Sequence, residues 1–289
     1  MVMFSPSEAL AENPAPCFLL ISHRTEDNID PTRKNKVPFW PAEELIARGY
    51  ATAAFWVGYA DPDDRNADFK NGVQGLFEDQ TKVRAADAWA AIAAWAWGAS
   101  LCYDHLDADP LVASDKVAII GHSRGGKTAL WAGAEDPRFG MVISNESGNT
   151  GASLARRPVG ESVKRINTGF PNWFNGNYKK FNDKENDLPV DQHMLMALTA
   201  PRLLYIASAA ENEWADPEGE FLSAKYASPV YNLFGYTGLG EELFPEVDKP
   251  LHGDRVAYHV RAGGHDLLEY DWHRFMDFAD KHWKGPSGR

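Results

Sequence analysis

Val117-Ala118-Ile119-Ile120-Gly121-His122-Ser123-Arg124-Gly125-Gly126-Lys127-Thr128-Ala129-Leu130-Trp131-Ala132 is the stretch that decides the fold. An apolar run, a Gly-His-Ser-Arg-Gly turn and a helix-forming run follow one another, so the order is strand, tight turn, helix. A serine in such a turn is a nucleophile elbow. The glycines at 121 and 125 let a strand reverse into a helix without side chains colliding. Ser123 is thereby pushed out at the carboxyl end of a sheet. A helix amino terminus stands behind it, where backbone N–H groups can meet developing negative charge.

Outward from this turn, the 289 residues suffice for one large α/β domain with its own core. A net charge of −12 argues against nucleic-acid binding, which needs a basic face to replace counterions. Cys17 and Cys102 are too few for a metal cluster or a disulfide framework. The longest weakly polar stretch, Ala88 to Tyr103, is broken by Gly98 and Ser100 and falls short of the ~20 residues of a membrane span. Met1 to Pro16 lacks a basic segment followed by an apolar one, so it does not read as a secretory signal.

Apolar strand-like runs alternate with helical patterns along the chain. The strands are expected at Cys17–Ile21, Tyr50–Val57, Val117–Ile120, Met141–Ser144, Arg202–Ser208 and Val256–Val260. Helices are expected at Pro41–Arg48, Thr81–Gly98 and Tyr270–Trp283, the last carrying Trp272, Phe275, Met276, Ala279 and Trp283 at helical spacing. This alternation predicts a mostly parallel central sheet with helices on both faces. The fold class is α/β, of the α/β-hydrolase type, with a single domain over 1–289 and an irregular stretch at 1–15. Two long intervals, 145–188 and 209–250, follow strands and are read as loops that rim a substrate site above the serine.

A serine hydroxyl needs a base within reach, and the base a partner that holds its tautomer. In this architecture the chain order is serine, acid, histidine. Of the nine histidines, His265 alone follows a late strand, in Gly263-Gly264-His265-Asp266. His122 is expected to point away from the site and to serve packing. His193, His273 and His282 fall in helical segments and read as structural. Spacing leaves the acid open. Glu146 follows the earlier strand, whereas Glu211, Glu213 and Asp216 follow the later one.

Several separate motifs, in order, resemble the glucuronoyl esterases, a carbohydrate esterase family of α/β-hydrolase fold. They are Ser123-Arg124-Gly125-Gly126-Lys127, Ile143-Ser144-Asn145-Glu146-Ser147-Gly148 and Arg156-Arg157-Pro158-Val159-Gly160-Glu161. Leu188-Pro189-Val190-Asp191-Gln192-His193-Met194, Trp214-Ala215-Asp216-Pro217 and Gly264-His265-Asp266 complete the set. The likeness runs from about Pro16 to Trp283. It is closer to bacterial members, since fungal ones usually carry a cysteine where His122 stands.

The resemblance implies roles for particular residues. Ser123 would be the nucleophile, His265 the base and Glu146 the acid. Arg124 would face the oxyanion, Lys127 would bind sugar hydroxyls, and Glu161 and Trp214 would belong to a uronate-binding rim. The activity implied is hydrolysis of esters of 4-O-methyl-glucuronic acid, as in lignin–carbohydrate linkages of xylan. No metal or organic cofactor is called for. The expected partner is a small-molecule or polysaccharide ester, with no nucleic acid and no membrane, and the expected state is a monomer. The alternatives are an esterase on another small or acetylated carbohydrate ester, or a catalytically silent carbohydrate-binding relative. Family members often carry a secretion signal, which implies a secreted or periplasmic protein. They also usually have strands ahead of the one matching Cys17–Ile21, so early strands are expected to be missing here.

Overall fold

The computed structural model describes residues 1–66, 68–240 and 243–284. In chain order the main elements begin with β1 (Val2–Phe4), β2 (Ala15–Ser22), α1 (Ala42–Ala47), β3 (Ala51–Trp56), α2 (Gly72–Phe77) and α3 (Ala91–Ala108). The elbow region follows as β4 (Val112–His122), α4 (Arg124–Glu135) and β5 (Met141–Asn145). Then come α5 (Val163–Gly169), α6 (Gln192–Ala197), β6 (Leu203–Ala209), α7 (Pro217–Asn232), β7 (Leu251–His252), β8 (Val256–Arg261) and α8 (Glu269–Trp283).

The eight strands form one sheet in the order β1-β3-β2-β4-β5-β6-β8-β7. The inner strands are parallel, and β1 and β7 are antiparallel edges. This is the mostly parallel sheet of an α/β-hydrolase fold, as the alternating pattern predicts. Side chains of a strand point alternately to opposite faces, so each inner strand feeds two cores. Cys17, Leu19, Ile21, Val117 and Ile119 join Trp95 of α3, Leu130 of α4 and Phe221 of α7 on one face. Phe18, Leu20, Ala118 and Ile120 join Leu45 of α1 and Trp272, Phe275 and Met276 of α8 on the other.

Five expectations are corrected. The stretch 1–15 is not wholly irregular, and an early strand is present rather than missing: β1 pairs Val2, Met3 and Phe4 with Ala54, Ala53 and Thr52 of β3. Phe4 anchors it against Trp40, with ring centroids 5.7 Å apart. The helix expected at Thr81–Gly98 begins only at Ala91, because Val83 is 98% exposed and gives an earlier turn nothing to pack on. Interval 145–188 carries α5 and two short 3₁₀ turns, Tyr178–Phe181 and Glu185–Asp187. Interval 209–250 carries the 16-residue α7, whose buried face mixes small and polar residues, Gly219, Glu220, Ser223, Ala224 and Ala227, with Phe221 and Tyr231. On that face Phe221 and Tyr231 are the large apolar residues, with small ones between them. Residues 241–242 of that interval, and the last five of the domain expected over 1–289, lie outside the described residues.

Candidate active site

The elbow is built as its glycines require. A Cβ on Gly121 would lie 2.0 Å from the carbonyl oxygen of Gly125, a backbone atom that cannot yield. Ser123 has φ 56° and ψ −125°, a strained conformation for a non-glycine residue, held by its N–H donating to Asn145 O at 2.9 Å. The neighbouring strand ends at the same height, since His122 is in register with Asn145. Glu146 is thus the next residue on β5 as Ser123 is on β4. It too has a positive φ, 48°, and its N–H donates to Ala207 O of β6 at 2.7 Å.

A cavity of about 210 Å³ opens above these strand ends. Ser123, Arg124, Lys127, Glu146, Glu161, Trp214 and His265 all line it, together with Phe170 and Trp173. The seven residues singled out from the sequence are therefore brought to one place.

The acid position was open between two strands, and the geometry places Glu146 at His265. Glu146 Oε2 lies 3.1 Å from His265 Nδ1. Glu146 is buried, and burial raises its carboxyl above the ordinary range, opposed by the His265 hydrogen bond and the Arg261 charge. Asp216 is engaged elsewhere. It accepts from Arg157 Nε at 2.8 Å and from Ser153 Oγ at 3.1 Å, and it caps α7 by accepting from Gly219 N. Glu211 and Glu213 are exposed. The later-strand position is instead filled by Asn212, whose amide donates to Glu146 Oε2 at 2.9 Å and stands 2.8 Å from His265 Nδ1.

His122 is buried as expected, but it does not face away from the site. Its ring centroid lies 4.4 Å from that of His265, and its Nδ1 meets Asn145 Oδ1 at 2.5 Å. Burial, with the neighbouring His265, holds its basicity well below the usual histidine range, so His122 is a neutral wall for the His265 ring.

Arg124 lies between a carboxylate and two aromatic faces. Its Nη1 donates to Asp63 Oδ2 at 2.5 Å, and its guanidinium carbon is 5.0 Å from the Phe170 centroid and 4.7 Å from that of Trp173. Asp63 also accepts from Trp173 Nε1 at 2.8 Å and Asn172 Nδ2 at 3.2 Å. The Lys127 ammonium is buried and donates to Ser147 O at 2.7 Å, Asn149 O at 2.5 Å and Glu161 Oε2 at 3.1 Å. It therefore ties the loop after β5 to Glu161. Trp214 is half exposed, with the Arg165 guanidinium 4.8 Å from its ring centroid. Asp63, Phe170, Trp173 and Arg261 join the site without being singled out by the sequence motifs. Arg261 alone carried a signal, a charge closing an apolar strand just before Gly263-Gly264.

Among the described residues, no group of three or more His, Cys, Asp or Glu could hold a metal ion, and no helix is long and apolar enough to cross a membrane.

Comparison with known proteins follows the same line. A family model described as "Glucuronyl esterase, fungi" matches residues 66–235. Carbohydrate esterase MZ0003, from an unknown prokaryotic organism, is 48% identical over 248 residues, covering 85% of this chain and 56% of that protein. A 4-O-methyl-glucuronoyl methylesterase of Phanerochaete chrysosporium is 35% identical over 155 residues, 50% of this chain and 33% of that protein. The chain thus spans 56% of the length of one curated relative and a smaller share of the other. The solved glucuronoyl esterase of Solibacter usitatus superposes with a TM-score of 0.89 at 42% identity, covering 97% of this chain and 76% of that one. With a family model over more than half of its length and this architecture, the chain belongs to the glucuronoyl esterase family.

Proposed function

We propose that this chain is a serine esterase that hydrolyses esters of 4-O-methyl-glucuronic acid, of the kind that link xylan to lignin alcohols. The observation that carries the reading is the convergence of Ser123, His265, Glu146, Arg124, Lys127, Glu161 and Trp214 on one cavity. The name of the Phanerochaete chrysosporium relative, a 4-O-methyl-glucuronoyl methylesterase, supports the substrate class.

Ser123 Oγ attacks the C6 carbonyl of the uronate ester while His265 takes its proton through Nε2, the ring nitrogen not turned to Glu146. Glu146 holds the Nδ1–H and balances the imidazolium. Charge builds on the carbonyl oxygen, where Arg124 and the helix amino terminus stabilise it more than the neutral ester. His265 then protonates the leaving alcohol. Water, deprotonated by His265, attacks the acyl-enzyme and releases free uronate and Ser123. Glu161 accepts hydrogen bonds from sugar hydroxyls, held in place by Lys127, and Trp214 covers an apolar face of the ring.

The test is hydrolysis of benzyl glucuronate beside 4-nitrophenyl acetate, by wild type and Ser123→Ala. The expected result is a preference for the glucuronate that disappears in the variant, with substrate binding retained. Turnover of acetate alone would move the substrate to another ester class. Equal rates with and without Ser123 would remove it as nucleophile.

A further inference from the structure

Arg261 closes β8, a strand whose residues are all buried, and its guanidinium is 2% exposed. A buried cation is tolerated only where its charge is balanced and its N–H groups find acceptors. Nε donates to Asp271 Oδ2 at 3.0 Å and Nη1 to Ala262 O at 2.9 Å. Nη2 faces Glu146 Oε1 at 2.7 Å, Gly264 O at 3.0 Å and Asp266 O at 2.7 Å. One side chain thus joins the end of β5, the start of α8 and the peptide carbonyls on both sides of His265.

We propose that Arg261 is the positioning residue of the acid–histidine pair, binding one oxygen of Glu146 and the loop around His265 so that the other oxygen meets His265 Nδ1. The inference rests on the esterase reading above. It follows from the shape of the group. A guanidinium is a planar fork of five donors, and it can hold a carboxylate and two carbonyls in fixed relation, which the point charge of a lysine cannot. Arg261 touches no substrate. Its effect reaches the chemistry through Glu146, which must be an anion when the imidazolium forms.

The groups facing this pair come from every neighbouring element. Glu146 is faced by His265 and the Asp266 N–H from the loop, Arg261 and Tyr258 from β8, and Asp271 from α8. Asn212 faces it after β6 and Glu220 from α7. His265 is faced by His122 from β4, with His23 stacked beyond. Within this set Arg261 is the permanent cation bonded to Glu146. Its removal makes the carboxylate harder to form and moves the acid limb of the rate profile to higher pH.

The experiment compares wild type, Arg261→Gln and Arg261→Lys by kcat, KM and their pH profiles. A ¹³C NMR titration of the Glu146 carboxyl carbon, identified through Glu146→Gln, runs alongside. For Arg261→Gln we expect kcat to fall about 10²-fold, the order that a misplaced catalytic group costs, with KM little changed and the acid limb moved up. Arg261→Lys keeps the charge and should return the acid limb towards wild type while leaving kcat at least about tenfold down. Should Arg261→Gln not fold, Arg261→Lys decides alone: a wild-type kcat there overturns the proposal. A folded Arg261→Gln with unchanged kcat and acid limb, or with only KM altered, also overturns it. If wild type turns over acetate but not glucuronate, the substrate reading fails and the same comparison is made on acetate. If wild type turns over neither, the esterase reading fails and the Glu146 titration decides: a midpoint unmoved in Arg261→Gln, or in Arg261→Lys if that is the variant that folds, overturns the proposal.

Discussion

At Arg124 the charge is aimed by its neighbours. Asp63 takes one end of the guanidinium, and the stacked rings of Phe170 and Trp173 lie within 5.0 Å of it. Asp63→Asn would keep an acceptor for Trp173 Nε1 but turn an N–H₂ towards Arg124, releasing the cation from its place. We expect kcat to drop by about tenfold or more, since a misdirected oxyanion donor costs on that scale, with KM less affected. Steady-state kinetics on a folded variant check it, and an unchanged kcat would show that Arg124 needs no such support. The residues legible in the sequence were those whose signal is local: Ser123 by its turn, His265 by its glycine pair, and Glu146 as one of two placements that spacing left open. Asp63 was not legible, because it meets Arg124 across 61 positions and no spacing rule links them. Asn212 lies beside the later acid position, but an amide there gives no sign of the bond it makes to Glu146.

At the scale of elements, the elbow depends on one close backbone approach. Gly121→Ala would set a methyl carbon 2.0 Å from Gly125 O, while the same change at Gly125 meets Ile21 O at 3.0 Å. The first should destabilise the protein by about 3 kcal/mol, at the upper end for overpacking, and the second by clearly less. Urea unfolding midpoints of the two variants measure this, and equal losses would mean that the turn is looser than the backbone indicates. Strand positions were readable almost throughout, because inner parallel strands are short apolar runs between turn signals. Helices were read less well. The sequence carries the helix back across Trp89, Ala86 and Val83, where an apolar periodicity continues although Ala86 and Val83 are exposed. Helix α7 is harder to read because small and polar residues dilute its two large buried ones, Phe221 and Tyr231, although Asp216 and Pro217 form a good helix start.

Across the whole molecule, the sheet separates two apolar cores, and most of the charged groups inside lie near its carboxyl edge. Glu220 of α7 is the clearest case. It is fully buried, accepts from Gly148 N at 2.9 Å and Ser208 Oγ at 2.6 Å, and burial pushes its carboxyl up from 4.5 to about 8. The sign follows from linkage. A group whose folded pKa is raised binds its proton more tightly in the native state, so its contribution is present below about 4.5 and is lost as pH rises through about 8. Glu220→Gln, nearly isosteric and never charged, should remove a decline on the order of a few kcal/mol between pH 5 and 8.5. Unfolding free energies of both proteins at the two pH values test this. Parallel slopes would mean that Glu220 is ionised in the fold.

Ser123 and Glu146 directly follow β4 and β5, and Asn212 and His265 lie in the turns after β6 and β8, four adjacent parallel strands in the body of the sheet. The N–H of Ser123 is bonded to β5 and that of Glu146 to β6, so each kinked residue is held by the strand beside it. Ser123 and Glu146 are parted only when the sheet itself opens, whereas His265 rides on a loop with its ring half exposed. The lifetime of the Ser123–Glu146 placement is therefore the lifetime of the sheet itself.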